Sequence, residues 1–382
     1  MKSLSSILIQ LPLTLSGWIV LVNHILSPST YLVSSSWEQW WTYEGISGPN
    51  FWGRLNPKWS LCSKGRRQSP IDIDPEALLF DPFLSPLQLI GDHVNGNLIN
   101  TGRGIIFKVS GLNKSESIEL SSASLSGSSP SVNLANGPLT YRYTLNHFSL
   151  HYGRNISKGS EHTIGGIQFP GEIQFYAYNS ILYDSWEEAS LRAHGVVAVS
   201  VLLQISHDSK QANNQLRRIT HALKNITTTG SSQKMESLSI KEIMPEAMRR
   251  QYLTYDGSLT EPGCYETVQW IILNKPIYMT SHLFHSLRMS SSTDEPSHGA
   301  DNYRPIQRLN SRPIRTNINF ETSYQISLEG HDERLSEKFD GPEYVTEFGK
   351  KMDQNVTSKR KGSCSMKRSV TYRANSPRII ET

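Results

Sequence analysis

The sequence has little cysteine and little net charge. Its 382 residues include three cysteines, 38 basic and 34 acidic side chains, a net charge of +4. So small a charge does not indicate a nucleic-acid-binding protein. Only 19% of residues are charged and 37% are hydrophobic, a composition that excludes a wholly disordered chain, a collagen, a coiled coil and a multi-span membrane protein. The length allows two or three ordinary domains or one large β domain.

The N-terminus has the pattern of a signal peptide. Lys2 precedes an uncharged, mostly apolar run over residues 7–22, and the small residues Val33 and Ser35 lie near a cleavage position. The sequence therefore predicts a signal peptide over 1–36 and a secreted protein. An uncleaved membrane anchor remains the alternative, because the run could extend to Leu26 and a span needs about 20 residues.

Four Asn-X-Ser/Thr triplets fit a secreted protein. They are the glycosylation candidates Asn113, Asn155, Asn225 and Asn355. In an oxidising compartment cysteines form disulfides, and an odd count leaves one thiol over.

From residue 37 to 320, short segments of strand composition alternate with turn-rich loops. Strands are predicted at 105–109, 141–152, 172–178, 196–206 and 267–273. The run 196–206 is predominantly apolar without alternation, which is typical of a strand buried on both faces. Apolar residues at helical spacing predict a helix over 215–226. We therefore expect a mainly β (α+β) domain over 37–320 with short peripheral helices.

The C-terminal segment 321–382 is polar and divided by charge. Residues 321–349 hold eight acidic and two basic side chains, and residues 350–382 hold nine basic and two acidic ones. Few large apolar residues occur in either part, so we expect a disordered tail, first acidic and then basic. Cys364 lies among its basic residues and is the candidate for an intermolecular thiol.

Four motifs occur in one order along the chain. They are Trp41-Thr-Tyr-Glu-Gly, Arg67-Gln-Ser-Pro-Ile-Asp-Ile, Gly159-Ser-Glu-His-Thr and Thr254-Tyr-Asp-Gly-Ser-Leu-Thr. Together they resemble the α-class carbonic anhydrases over residues 37–320. Shorter motifs beginning at Cys264, Asn274, His285, Asp301 and Arg315 resemble the carbonic-anhydrase-related proteins X and XI, which are regarded as non-catalytic.

The resemblance implies a fold and a disulfide. The fold is a single domain with a large, mostly antiparallel twisted sheet and a conical pocket that ends at a metal. Cys62 and Cys264 match two positions that are bridged in extracellular relatives. Such a bridge would close 202 residues of chain and stabilise the fold by up to about 5 kcal/mol in the chain-entropy model.

The resemblance also implies where zinc would bind. Catalytic members hold zinc with three His imidazoles and leave a fourth position for water, which ionises near neutral pH. The three positions fall on Ser149, His151 and Gln174 here. Each ligand of a structural zinc site contributes on the order of 3–4 kcal/mol, so one imidazole leaves about millimolar affinity. We therefore predict that zinc is absent and that the protein has no catalytic residues.

Two alternative sites on the predicted strand 141–152, a displaced metal site and a serine nucleophile, are not favoured. His147 and His151 share a face but lie about 13 Å apart along the strand, too far to bind one metal ion together. Ser149 could act as a nucleophile with either histidine, but residues two apart lie about 6–7 Å apart, which predicts no hydrogen bond.

Other positions of the family's catalytic apparatus are matched only in part by this sequence. Thr260 and Glu161 match the pair that orients zinc-bound hydroxide, and we expect a hydrogen bond between them with a structural role. Glu172 matches the acid that braces the third His. Because Gln174 replaces that His, we expect Glu172 to lack its usual partner. Arg103 occupies the proton-shuttle position and stays protonated, and Glu261 adds a carboxylate at the pocket mouth.

These observations predict a secreted, inactive carbonic-anhydrase-related protein that acts as a binding module. The resemblance to the X and XI proteins implies a neuronal cell-surface partner of the neurexin type, without nucleic acid or substrate. The alternatives are a weakly active carbonate dehydratase or an esterase with an altered zinc site, and an adhesion module held at the membrane by an uncleaved leader.

Overall fold

The computed structural model of the protein describes residues 40–111, 131–289 and 301–320. The predicted leader, the tail, Asn113, Asn355 and Cys364 lie outside these ranges. In the part described, no helix is long and apolar enough to cross a membrane.

Strands predominate in these ranges. They are β1 (Asp72–Ile73), β2 (Leu79–Phe80), β3 (Leu87–Ile90), β4 (His93–Asn100), β5 (Ile105–Val109), β6 (Asn133–Asn136), β7 (Tyr143–Tyr152), β8 (Thr163–Ile164), β9 (Ile167–Gln168), β10 (Gly171–Tyr178), β11 (Val196–Ile205), β12 (Ser232–Ser239), β13 (Tyr252–Gly257), β14 (Val268–Leu273), β15 (Ile277–Met279) and β16 (Arg315–Thr316). The five predicted strands correspond to β5, β7, β10, β11 and β14.

The helices are short and lie between the strands. They are α1 (Trp52–Leu55), α2 (Leu61–Lys64), α3 (Trp186–Ala189), α4 (Asn214–Leu223), α5 (Ile240–Ile243), α6 (Glu246–Arg249) and α7 (Ser281–Met289), with 3₁₀ turns at Gly45–Ser47, Pro57–Trp59 and Pro75–Ala77. The predicted helix 215–226 is α4. It begins after Asn213, whose side chain accepts from the backbone N–H groups of Gln215 and Leu216, and it ends three residues earlier than predicted.

Thirteen strands form one large sheet. Its main path runs β12-β4-β5-β7-β10-β11-β14-β13-β16-β2, and β3, β6 and β15 attach beside it. Strand pairs are antiparallel except at β11–β14, β11–β15 and β16–β2. A second sheet joins β1, β8 and β9. The predicted large, mostly antiparallel sheet is thus confirmed.

Strand β11 shows why the sheet centre is apolar on both sides. Val197, Val199, Val201 and Leu203 pack into one hydrophobic cluster, whereas Val196, Ala198 and Leu202 pack into another. Successive side chains of a strand point to opposite faces, so a strand between two clusters is apolar at most positions on both faces. Neighbouring β10 is buried along its whole length, which encloses its polar side chains as well.

The predicted disulfide is present. Cys62 on α2 bonds Cys264, and their Cα atoms lie 5.0 Å apart. Both cysteines belong to a cluster with the buried side chains Trp41, Trp52 and Trp59. The bridge therefore ties the N-terminal segment to the loop that follows β13 and carries Thr260.

Of the glycosylation candidates, Asn155 and Asn225 lie on described loops and are exposed. The Asn155 side chain accepts hydrogen bonds from the backbone N–H and hydroxyl of Ser157, the third residue of its triplet. Whether either site carries a glycan stays a prediction.

Candidate functional site

The pairing of β7 with β10 gathers the polar side chains of the site. Ser149 lies opposite Gln174, His151 opposite Glu172, and His147 opposite Tyr176. Directly opposed residues of antiparallel strands present their side chains on the same face. The strand register therefore brings together the positions that the resemblance assigned to zinc ligands.

His151 is the imidazole among those three positions, and both of its nitrogens have partners. Nδ1 lies 2.7 Å from the backbone oxygen of Asn302, and Nε2 lies 3.0 Å from the hydroxyl of Ser149. The expectation that Ser149 and His151 cannot share a hydrogen bond is therefore wrong. The 6–7 Å separation applies to the backbone, whereas the long imidazole leans along the strand and closes the gap.

Gln174 is bonded through both ends of its amide. Nε2 donates to Glu161 Oε2 at 2.8 Å and to Glu172 Oε1 at 3.0 Å. Oε1 accepts from the Tyr176 hydroxyl at 2.6 Å and, more weakly, from Thr260 Oγ1 at 3.4 Å. Glu172 thus keeps a bond to residue 174, contrary to the expectation that the substitution leaves it without this partner.

The expected bond between Glu161 and Thr260 is not among the hydrogen bonds of the described residues. The Glu161 carboxylate accepts instead from Gln174 and from the backbone N–H of Arg304, at 2.8 Å each. The Thr260 hydroxyl lies 3.5 Å from that of Tyr176. The amide nitrogen of Gln174 carries two N–H groups, whereas a metal-bound imidazole carries one, so Gln174 donates to Glu161 as well as to Glu172.

Glu172 is ionised and held from several sides. Its carboxylate lies 2.8 Å from His162 Nδ1 and accepts from the backbone N–H groups of Glu161 and His162, each at 2.9 Å. Burial alone would raise the pKa of Glu172, but the charge and hydrogen bonds of His162 outweigh it and lower the pKa to about 2.

His147 does not add a second ligand to this site. Its ring stacks on Tyr176, with centroids 4.9 Å apart, and meets Trp186 edge-on at 4.8 Å. Nδ1 bonds the side chain of Asn146 at 2.8 Å. Burial in this aromatic packing lowers the pKa of His147 to about 3, so the ring is neutral at physiological pH.

Sequence comparisons identify the fold that carries this arrangement. A family model of eukaryotic-type carbonic anhydrase matches residues 47–318. The chain belongs to this family. Carbonic anhydrase-like protein 2 of Caenorhabditis elegans is 38% identical over 284 residues, covering 72% of this chain and 79% of that protein. Carbonic anhydrase-like protein 1 of the same organism is 34% identical over 359 residues, covering 78% and 94%.

Catalytic members of the family use a zinc ion, and the residues present here do not fit one. The Nε2 atom of His151 accepts from Ser149, and both ends of Gln174 are bonded within the protein. A hydroxyl and an amide are also poor zinc donors compared with imidazole or thiolate. Among the residues the structure describes, no group of three or more His, Cys, Asp and Glu side chains is placed to hold a metal ion.

The cavity above this cluster is small. It encloses about 60 Å³, and Ser149 and His151 line it together with Trp41, Arg103 and Glu261. The Arg103 guanidinium stacks 4.4 Å above the Trp41 ring. Burial lowers the pKa of Arg103 and raises that of Glu261. The charge of each residue partly offsets the pKa shift of the other. The positions predicted for the proton shuttle and the pocket mouth therefore both line this cavity.

Three residues of the site were not predicted to belong to it. Asn302 fixes His151 through its backbone oxygen, Arg304 donates its backbone N–H to Glu161, and Tyr176 donates to Gln174. Asn302 and Arg304 belong to the motif Asp301-Asn-Tyr-Arg-Pro, so a signal for them was present. The signal for Tyr176 was its place two residues after Gln174 on the same strand face.

Proposed function

We propose that this protein is a secreted, non-catalytic carbonic-anhydrase-related protein that acts as a binding module. The observation that supports the loss of catalysis most strongly is the bonding of Gln174. Its amide joins Glu161, Glu172 and Tyr176 at 2.6–3.0 Å, in the place where the family's third imidazole would meet zinc.

Energetics support the same proposal. One imidazole leaves about millimolar zinc affinity, and a metal ion would also have to displace the Ser149 hydroxyl from His151. Without zinc, water in the pocket does not ionise near neutral pH, and the nucleophile for CO₂ hydration does not form. Arg103 at the shuttle position adds no proton transfer.

The experiment is metal analysis of the purified secreted protein combined with a CO₂-hydration assay. We expect much less than one zinc per chain and no turnover above the uncatalysed rate, before and after incubation with zinc. A catalytic carbonic anhydrase treated in parallel is the positive control. Stoichiometric zinc with turnover would contradict the proposal.

The binding role is supported by a scaffold that remains intact around the altered site. The sheet, the Cys62–Cys264 bridge and the buried network of Glu161 and Glu172 are all formed. A binding module needs such a scaffold and does not need the metal. We propose that its partner is a cell-surface or extracellular protein, and the family resemblance favours a receptor of the neurexin type.

A cell-surface pull-down tests this role. The secreted protein, with and without residues 321–382, is used as bait on cells that express candidate receptors. We expect a saturable partner for the full chain. A Cys364→Ala variant on non-reducing gels then separates a covalent complex from a non-covalent one. Absence of any saturable binding by either form would contradict the binding role.

A further inference from the structure

The bond between Ser149 and His151 belongs to a longer chain of polar groups. On the other side of the ring, Nδ1 contacts the Asn302 oxygen at 2.7 Å, and Glu161 Oε1 lies 3.7 Å away. The exposed fractions of Ser149, His151 and Glu161 are 5%, 2% and 1%. The site therefore contains a hydroxyl, an imidazole and a carboxylate in sequence, each almost fully buried.

The contact with Asn302 determines which nitrogen of His151 carries the proton. A backbone carbonyl oxygen only accepts hydrogen bonds, so in the neutral ring Nδ1 is protonated and donates to it. Nε2 then has a free lone pair, and the Ser149 hydroxyl donates to it at 3.0 Å. This is the tautomer that a general base needs in order to take a proton from a serine hydroxyl.

Glu161 supplies the third element of such a system. Its carboxylate, held by Gln174 and by the backbone of Arg304, lies near Nδ1 and stabilises the positive charge that His151 gains with a proton. A nucleophile bonded to a base, which is in turn oriented by a further group, is the general arrangement of serine activation.

The cavity gives Ser149 and His151 a common space. Both line the volume of about 60 Å³, and Arg103 lines it as well. Because about 10–15 Å³ of such cavity volume is enough for one water molecule, this space accommodates a small group such as a short acyl chain and excludes large substrates. The Arg103 guanidinium lines the same cavity and brings positive charge to it, together with the carboxyl group of Glu261, whose pKa burial raises.

We propose that Ser149 is an activated nucleophile that accepts short acyl groups from small activated donors, such as acyl phosphates or activated esters. The Oγ atom forms a bond to the acyl carbon, and the bond from that carbon to the leaving oxygen breaks. His151 takes the hydroxyl proton at Nε2 and passes it to the leaving group. The step needs no metal ion, so it does not depend on whether the protein hydrates CO₂.

The test uses methanesulfonyl fluoride, a small reagent that sulfonylates activated serines with loss of fluoride. The native full-length protein is treated in the presence of a metal chelator and analysed by intact mass and peptide mapping. We expect one addition per chain, located at Ser149, at least tenfold faster than at any exposed serine. Prior unfolding should abolish this preference.

Three variants control the experiment. Ser149→Ala should remove the fast addition, and His151→Gln should slow it by about 100-fold, as expected for loss of a general base. Ser200→Ala should leave it unchanged, because Ser200 is equally buried on β11 but its hydroxyl has no hydrogen-bond partner among the described residues.

Two results would overturn the proposal. One is native wild-type protein in which Ser149 reacts no faster than the exposed serines, and this result does not depend on whether any variant folds. The other is a fast addition that maps to a different residue or persists in Ser149→Ala. Neither result bears on zinc binding, so the proposed non-catalytic role would remain to be judged by its own assay.

Discussion

Gln174 donates a hydrogen bond to Glu161 across 2.8 Å, and the same nitrogen also reaches Glu172. The neutral amide thereby joins two buried carboxylates of the site. In a catalytic carbonic anhydrase the corresponding residue is an imidazole that binds zinc. At the position where a catalytic member has a metal ligand, this chain therefore has an amide that is hydrogen-bonded to two carboxylates.

Replacing Gln174 with leucine should destabilise the protein by about 2–4 kcal/mol, because a buried donor and acceptor lose their partners. Glu161, Glu172 and Tyr176 would each lose one bond. The measurement is the free energy of unfolding by denaturant titration. Gln88→Leu is the control, since Gln88 is exposed on β3 and its loss should change stability by about 0.5 kcal/mol or less. Equal effects of the two substitutions would show that the network does not contribute.

Replacing Ser149 and Gln174 together with histidine should create measurable zinc binding. The strand register already places both positions opposite one another and beside His151. Zinc uptake is measured by competition with a chromophoric chelator, and the single variant Ser149→His should bind much more weakly. Hydration of CO₂ should remain slow until Arg103→His is added. A folded double variant that takes up no zinc would show that the ligand positions are wrongly assigned.

Glu172 should make stability depend on pH in acid. Its pKa is lowered from 4.5 to about 2 in the folded state, so it stabilises the protein above about pH 4.5 and loses this effect as the pH falls towards 2. At pH 7 the contribution is on the order of 3 kcal/mol. Unfolding free energies of the wild type and Glu172→Gln should therefore differ most at neutral pH and converge only as the pH falls to about 2. A difference that does not change with pH would contradict this assignment.

The disulfide should contribute strongly to stability. Closing 202 residues of chain corresponds to up to about 5 kcal/mol in the chain-entropy model. The double variant Cys62→Ala/Cys264→Ala should therefore unfold at a markedly lower denaturant concentration. Cys364→Ala is the matched control and should unfold like the wild type. If loss of the bridge shifted the midpoint no more than loss of Cys364, the bridge would have no stabilising role.

Much of the fold was predictable because its signals are local or occur as motifs. The apolar run of β11 indicated a strand buried on both faces, and the spacing of Leu216, Ile219 and Leu223 indicated α4. The pairing of Cys62 with Cys264 followed from the family resemblance. The predicted end of α4 was three residues too late because the apolar pattern included Ile226. Ile226 is buried, but it lies beyond the last residue of the helix.

The site was predictable in part of its membership but not in its bonds. Strand periodicity placed Ser149 and His151 on one face, yet backbone spacing alone suggested that they do not touch. The partner that orients the ring, Asn302, lies 151 residues further along the chain, where spacing carries no information. Bonds of this kind depend on tertiary packing and on side-chain rotamers, which the sequence pattern does not specify.

We propose that this pocket does not bind zinc tightly, and the most direct test is the zinc dissociation constant of the wild-type protein. Competition with a chromophoric chelator at neutral pH should give about millimolar affinity, the value expected for one imidazole. A submicromolar dissociation constant with one zinc ion per chain, lost on replacement of His151, would contradict the claim.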